Sequence, residues 1–361
     1  MNILTKKKEL RDLILNGISQ KELDNNYDYS QITDMSNLFQ SCKNLKEIPL
    51  INTSKVINMQ GMFSGCLSLE TIPLLDTSSV TNMKYMFEGC KKLKEIPLFD
   101  TFNVKEISGM FKYCKMLETI PLLNTSNVIF MMNVFEDCVN LETIPLFDTS
   151  NVIYMDSLLK NCNSLKEIPL LDTKNVKSMR SMFSNCTNLK TIPLLDTVNV
   201  KDMAYMFSNC INLETIPLLN TNNLYEMQGM FKRNTSLKEI PLLNTKKVTN
   251  MDSLFDCSYN LKTIPLLDTS NVKTMEMMFY KCVLLKEIPE LNAIKVVNMN
   301  NMFNGCESLE NKPKLDISEY LIQTKDMYKG CITIEKNDLE NEKNILKKNF
   351  ENINELPNLN F

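Results

Sequence analysis

The apolar positions of this chain return every 24 residues over nearly its whole length. One unit, written from its cysteine, reads Cys90-Lys91-Lys92-Leu93-Lys94-Glu95-Ile96-Pro97-Leu98-Phe99-Asp100-Thr101-Phe102-Asn103-Val104-Lys105-Glu106-Ile107-Ser108-Gly109-Met110-Phe111-Lys112-Tyr113, and Cys114 begins the next. Pro keeps its slot from Pro49 to Pro313. Met recurs from Met35 to Met299 with Ile107 the one substitute, and phenylalanine from Phe39 to Phe303 with Leu159 the one interruption. A unit this short cannot enclose its own core, so each must bury its apolar residues against the units before and after it. The pattern predicts one repeat solenoid rather than the two or three globular domains that 361 residues would otherwise suggest.

Within the unit, Leu93-x-x-Ile96-x-Leu98 has the spacing of a leucine-rich-repeat core and predicts a short parallel β-strand stacked coil on coil. The Asp/Asn-Thr pair that follows (Asp76-Thr77, Asp148-Thr149, with Asn124 in the same slot) suits a turn whose side chain accepts a backbone N–H. Val80-x-x-Met83 predicts a second extended piece, and the run Met86 to Cys90 a short helical or 3₁₀ turn. Twelve such coils at strand spacing make a rod or shallow arc roughly 55 Å long. The slot two residues before Ile-Pro reads Lys46, Glu70, Lys94, Glu118, Glu142, Lys166, Lys190, Glu214, Lys238, Lys262, Lys286, Glu310. Opposite charges often face one another there on adjacent rungs, a solvated ladder worth about a few tenths of a kcal/mol per pair.

A solenoid has to cover its terminal coils. Residues 1–24 predict a helical cap, with Thr5 as its N-cap residue, Leu10, Leu13, Ile14 and Ile18 as its apolar stripe and Gly17 near its end. Residues 25–331 hold about twelve repeats plus a degenerate one, where Lys312 replaces the usual Ile. Residues 332–361 read as a charged helical cap or tail with Leu339, Leu346, Phe350 and Ile353 on one face. The other reading of both ends is a pair of amphipathic helices that dock a partner or a membrane.

Composition removes several classes of function. A net charge of -3, with Lys and Arg dispersed among Glu and Asp, provides no basic field for nucleic acid or anionic lipid. No stretch is apolar enough to span a bilayer, and Met1 to Thr5 runs into Lys6-Lys7-Lys8-Glu9 without the apolar region of a signal peptide. A soluble, cytoplasmic protein is expected, with export by a host or a place in a virion as alternatives. The cysteines recur with the repeat (Cys42, Cys66, Cys90, Cys114, Cys138, Cys162, Cys186, Cys210, Cys282, Cys306), while Asn234 fills one slot and Cys257 sits one residue early. They are expected to be reduced, buried fillers, because stacked parallel Cβ vectors disfavour disulfide geometry. The chain has no histidine and no CxxC pair, so no metal site or cofactor is expected.

The phrase Leu267-Asp268-Thr269-Ser270-Asn271-Val272-x-x-Met275-x-x-Met278-Phe279-x-x-Cys282, and the entry Ile32-Thr33-Asp34-Met35-Ser36-Asn37-Leu38-Phe39, resemble the BspA-like leucine-rich repeats of bacterial surface proteins. The resemblance covers about residues 5–331 and implies a right-handed solenoid with a role in adhesion or protein binding. The sequence differs from the surface branch in showing no signal peptide, lipobox or wall anchor, which favours members that act inside cells, are carried by phage or are injected.

No catalytic constellation stands out. Without histidine no Ser/His/Asp or Cys/His set can form, the eight glycines make no phosphate cradle, and the carboxylates fall in repeated slots. The expected function is a non-catalytic scaffold that binds another protein, with a structural or fibre component, or a surface adhesin exported without a classical signal, as alternatives. If Ile96 and Leu98 face the core, the alternate residues face out. The candidate contact strip is then Ile51, Leu75, Phe99, Leu123, Phe147, Leu171, Leu195, Leu219, Leu243, Leu267 and Leu291. A bend at the proline would instead bury both rows. A threonine ladder (Thr53, Thr77, Thr101, Thr125) raises ice binding as a third class, although it has no Thr-x-Thr pair.

Overall fold

A computed structural model describes residues 2–317 and 323–337; Leu339, Leu346, Phe350 and Ile353, expected on a C-terminal helix, lie outside the described residues. The chain opens with strand β1 (Asn2–Ile3), helix α1 (Lys7–Leu15), helix α2 (Gln20–Asn26) and strand β2 (Tyr27–Asp28), which pairs in parallel with β1. Leu10 and Ile14 of α1 are buried, and Leu13 and Ile18 pack half-buried against the same core. Lys6, not Thr5, stands at the N-cap, and no side chain caps it. Lys7 Nζ instead ties the helix to the first coil, donating to the Ser36 carbonyl at 2.6 Å and hydroxyl at 2.9 Å. Helix α2, absent from the single cap helix expected, starts at a reciprocal Ser19–Glu22 capping box. At the far end residues 332–337 are helical, with Cys331 and Ile334 buried.

Between these ends the coils are joined by a dense backbone ladder. The N–H groups of Met83, Tyr85, Phe87 and Gly89 donate to the carbonyls of Glu106, Ser108, Met110 and Lys112 in the next coil, at 2.7–2.9 Å. The N–H groups between them turn back within the coil: Met86 to Met83, Glu88 to Tyr85, Cys90 to Phe87, and Lys84 to the Asn82 side chain. The segment, expected as a short helical or 3₁₀ turn, is a chain of overlapping turns closed by such three-residue bonds, and alternate N–H groups point along the solenoid axis. Its backbone donors are all accounted for, as burial demands. Single parallel bridges mark the same edge from Asp34 to Gln323. The zigzag needs a left-handed residue twice per coil, at Tyr85 (φ 56) and Gly89 (φ 71) and their equivalents. That requirement explains why these slots collect Gly, Asn, Asp and Ser, which adopt φ > 0 at least cost.

The Leu-x-x-Ile-Pro-Leu segment is not a continuous strand. Proline removes the donor from its centre in every coil, and among the described residues a strand pair on this side of the coils forms only just after it, at Leu291–Ala293 (β3) with Leu315–Ile317 (β4). One backbone bond remains, and it joins coils two by two: Glu70 to Lys46, Glu118 to Lys94, Lys166 to Glu142, Glu214 to Lys190, Lys262 to Lys238, Glu310 to Lys286. Five of these six pairs carry opposite charges, whereas three of the five steps between pairs carry like charges. The charged slot thus follows a repeat of two coils. Clefts of about 730 and 1030 Å³ open at the Glu70–Lys94 and Glu214–Lys238 steps, where this bond is missing.

Inward residues of this segment fall every third position (Leu93, Ile96, Phe99), the period of a polyproline-like extended chain rather than a strand. The expected outward strip is accordingly inside: Ile51, Leu75, Phe99, Leu123, Phe147, Leu171, Leu195, Leu219, Leu243, Leu267 and Leu291 are all at most 6% exposed. The threonine ladder is buried too, the hydroxyls of Thr53, Thr77 and Thr125 donating to the next coil's carbonyls (Thr77 to Asp100, 2.7 Å) while that of Thr101 has no partner, so it offers no flat face to ice.

Stacked rings form the axis of the core. Phenylalanine centroids of adjacent coils lie 5.5–6.1 Å apart from Phe39 to Phe135 and from Phe183 to Phe303, broken at Leu159. The thiols other than Cys42 and Cys257 have a second use beyond filling space, since each donates to a carbonyl one coil back, as Cys66 does to Phe39 at 3.0 Å. Ser258 reproduces this bond to Phe231 at 2.8 Å, while the early Cys257 sits in a left-handed slot (φ 59). One ion ladder is inside as well: Glu136, 5% exposed, bridges Lys112 of the coil before (2.9 Å) and Lys160 of the coil after (3.2 Å).

The cysteines among the described residues are free, and all but Cys42 are buried. Burial pushes the Cys66 thiol up to about 12, far from the reactive thiolate. In native protein a thiol reagent should label Cys42 readily and the ladder only on unfolding, counted by mass spectrometry; rapid labelling of most thiols would refute the buried ladder. Burial acts to raise the Glu136 carboxyl, yet the two ammonium groups hold it below its ordinary 4.5, and burial opposed by the same pair leaves Lys112 above 10.5. Because the folded carboxyl is depressed, its stabilisation is present above pH 4.5 and lost as pH falls through the folded value. Glu136→Gln should therefore cost about 1–3 kcal/mol at pH 7, in line with a buried charged partner left unmatched. The difference in denaturation midpoint from the parent should shrink below pH 4.5.

Candidate functional site

The outward apolar row is one residue earlier than the expected strip. Leu50, Leu74, Leu98, Leu122, Leu146, Leu170, Leu194, Leu218, Leu242 and Leu266 project one per coil, each 54–66% exposed. The chain puts them there because Ile96 and Phe99 are both anchored inside and leave Pro97-Leu98 as the bulge between them. At the next coil Glu290 takes the slot and pairs with Lys314 at 2.8 Å, which ends the row with a charge. That glutamate was the signal available in the sequence: a slot that tolerates a charge is a slot in water.

Two residues after each leucine comes the Asp/Asn row, exposed on the same side: Asp76, Asp100, Asn124, Asp148, Asp172, Asp196, Asn220, Asn244, Asp268. One oxygen of each closes a local turn, as Asp76 Oδ1 does by accepting from the Ser78 N–H (3.1 Å) and hydroxyl (2.6 Å). Those serine bonds hold the carboxyls of Asp76, Asp148 and Asp268 below the usual range, so they are charged at neutral pH. Among the described residues only Asp172 of this set is in an ion pair, with Lys174. Leucine and Asx rows together line an open groove of about 900 Å³ across Leu218, Leu242 and Leu266, bounded by Asn220, Asn244 and Asp268.

The other conspicuous carboxylates have structural duties. Burial pushes Asp156 and Asp252 up, yet each accepts a backbone N–H from the following coil, Arg180 at 2.9 Å and Glu276 at 2.7 Å. In those following coils Ser178 and Thr274 stand where Asn82 or Asn298 would cap the same N–H group, so the aspartates substitute for a missing cap. No group of His, Cys, Asp and Glu suited to a metal ion occurs among the described residues, and no described helix is long and apolar enough to cross a membrane.

A family model described as "Mycoplasma protein of unknown function, DUF285" matches residues 13–121, 88–193, 113–214, 188–280 and 226–342, and so spans most of the chain. No curated protein matches. Among solved structures the chain is similar to a leucine-rich repeat protein from Bacteroides ovatus, at 23% identity and TM-score 0.54, over 80% of this chain and 73% of that one. A leucine-rich repeat protein from Eubacterium ventriosum is similar at 17% identity and TM-score 0.47, over 73% of this chain and 77% of that one. The fold is that of a leucine-rich-repeat solenoid.

Proposed function

Since the chain belongs to the family described as a Mycoplasma protein of unknown function, DUF285, whose description leaves the activity open, we propose that it is a non-catalytic protein-binding scaffold that holds its partner along the Leu50–Leu266 row. The observation that carries this reading is the row itself. Ten leucines at more than half exposure, in unbroken succession, form an apolar strip far longer than scattered surface leucines would. These side chains are outside the buried core, whereas the residues on either side of them, such as Ile96 and Phe99, are committed to it. The leucine-rich-repeat fold supports the same reading, because such solenoids offer extended surfaces made of equivalent positions. The BspA-like character of the Leu267–Cys282 phrase points to that branch of the repeat family. A reducing, cytoplasmic setting suits twelve cysteines, none of them disulfide-bonded among the described residues.

Two triple variants test the proposal. Replacing Leu98, Leu122 and Leu146 with Ser should leave the thermal midpoint nearly unchanged, because the side chains are in water already. Replacing their buried neighbours Phe99, Leu123 and Phe147 with Ser should cost several kcal/mol, about 2–5 for each large side chain removed. In an affinity capture from the native cell the exposed triple variant should lose the proteins retained by the parent chain. Undiminished capture by that variant would remove the leucine row as the binding surface.

A further inference from the structure

We infer that the segment seated on the leucine row is a cationic amphipathic helix lying along the solenoid axis; this rests on the protein-binding reading above and names the partner's chemistry. Two observations carry it, one of spacing and one of charge.

The step from coil to coil, read at the stacked phenylalanine rings, is 5.5–6.1 Å. A strand laid along the row presents same-face side chains every 6.6–6.8 Å or so, and slips out of step with the comb within about three rungs. An α-helix presents its apolar stripe once per turn, about 5.4 Å, which stays close to the coil step. Helical side chains can therefore drop between consecutive leucines over several coils, and strand side chains cannot.

The charge comes from the row beside the leucines. Asp148, Asp172 and Asp196 follow Leu146, Leu170 and Leu194 on three consecutive coils, and Asp76 and Asp100 follow Leu74 and Leu98. Each of Leu146, Leu170 and Leu194 is at least 61% exposed, and its aspartate emerges on the same side because only one buried residue separates them. The leucine and Asx slots contain no Lys or Arg from Leu50 to Asp268. An apolar comb with a carboxylate rail complements a helix with a leucine-like stripe flanked by Lys or Arg, and it repels an acidic helix. An anionic lipid surface is disfavoured by the same rail.

The sequence supplies mild variants for the test. Asn124, Asn220 and Asn244 occupy the Asx slot naturally, and Asn124 Oδ1 accepts the Ser126 N–H at 3.1 Å as the aspartates do in their coils. Asp148→Asn, Asp172→Asn and Asp196→Asn together should therefore fold normally. Three labelled peptides of about 18 residues, long enough for helix formation, would be titrated against the full chain by fluorescence anisotropy. One has a helical leucine stripe flanked by Lys, one the same stripe flanked by Glu, and one alternating Leu and Lys as a strand former.

The helical Lys peptide should bind best. Its affinity should fall at least tenfold with Leu146→Ser, Leu170→Ser and Leu194→Ser combined. It should fall severalfold with the Asn triple variant, which should also flatten its salt dependence. Equal binding of the Glu peptide, or no effect of the Asn variant, would overturn the cationic assignment, and tighter binding of the alternating peptide would overturn the helical one. In either case a continued loss with the Leu→Ser variant leaves the row as a protein-binding surface. If that variant changes the binding of no peptide, the row and the inference fall together.

Discussion

The constraint on which everything else rests is the alternation of backbone donors between Val80 and Cys90. N–H groups at Met83, Tyr85, Phe87 and Gly89 point to the next coil, and those between them close turns within their own. This arrangement holds only if consecutive coils superpose in register, about 4.8 Å apart at the ladder, so every side chain must tolerate its own equivalent one coil above and one below. Rings meet the condition by stacking, with Phe63 and Phe87 nearly coplanar in orientation at 5.6 Å. Thiols meet it by donating across the step to a carbonyl. Charges often meet it by alternation: Glu136 stands between Lys112 and Lys160, and Lys and Glu face one another in five of the six bonded pairs along the Pro edge.

The same constraint explains the tolerance of the pattern. The thiol slot accepts Ser258 because a hydroxyl makes the same bond, whereas Asn234 in that slot only takes up the Cys210 N–H at 3.0 Å and leaves its own amide nitrogen without a partner. Two coils without their Asx cap are served by an aspartate from the coil before, Asp156 serving Arg180 and Asp252 serving Glu276. Departures from the repeat in this molecule are mostly repairs of the ladder. Chemistry that looked singular, such as carboxyls pushed upward by burial, is bound up in holding it.

The period, the stacking, the buried thiols and the apolar stripe of the first helix were all legible in the chain, because each depends on which residues recur and not on local geometry. Local geometry was less legible. The Leu-x-x-Ile-x-Leu motif suggested a strand with a period of two, but proline at every coil removes a ladder donor, and the anchors Leu93, Ile96 and Phe99 impose a period of three. That difference of one residue turned the outward row from Phe99 and its equivalents to Leu98 and its equivalents. Two signals lay in plain sight: the three-residue spacing of the anchors, and Glu290 in the slot that leucine holds elsewhere. The left-handed positions were equally written in the chain as Gly, Asn, Asp and Ser at fixed offsets after Met and Phe.

A surface built under strict repetition has a consequence for recognition. Every rung offers nearly the same leucine, so a partner seated on the proposed apolar row would gain affinity with the number of coils engaged and little information about position along the axis. Position has to come from what varies beside it. In the Asx slot the variation is between carboxylate and carboxamide, which leaves the local turn intact while changing the charge that a partner meets. The fold is thereby insulated from the choice, and the choice is free to differ from coil to coil. A run of three aspartates at Asp148, Asp172 and Asp196, set against Asn220 and Asn244 further along, gives the uniform comb one acidic stretch and one neutral stretch. Register along the solenoid can be read from that contrast alone.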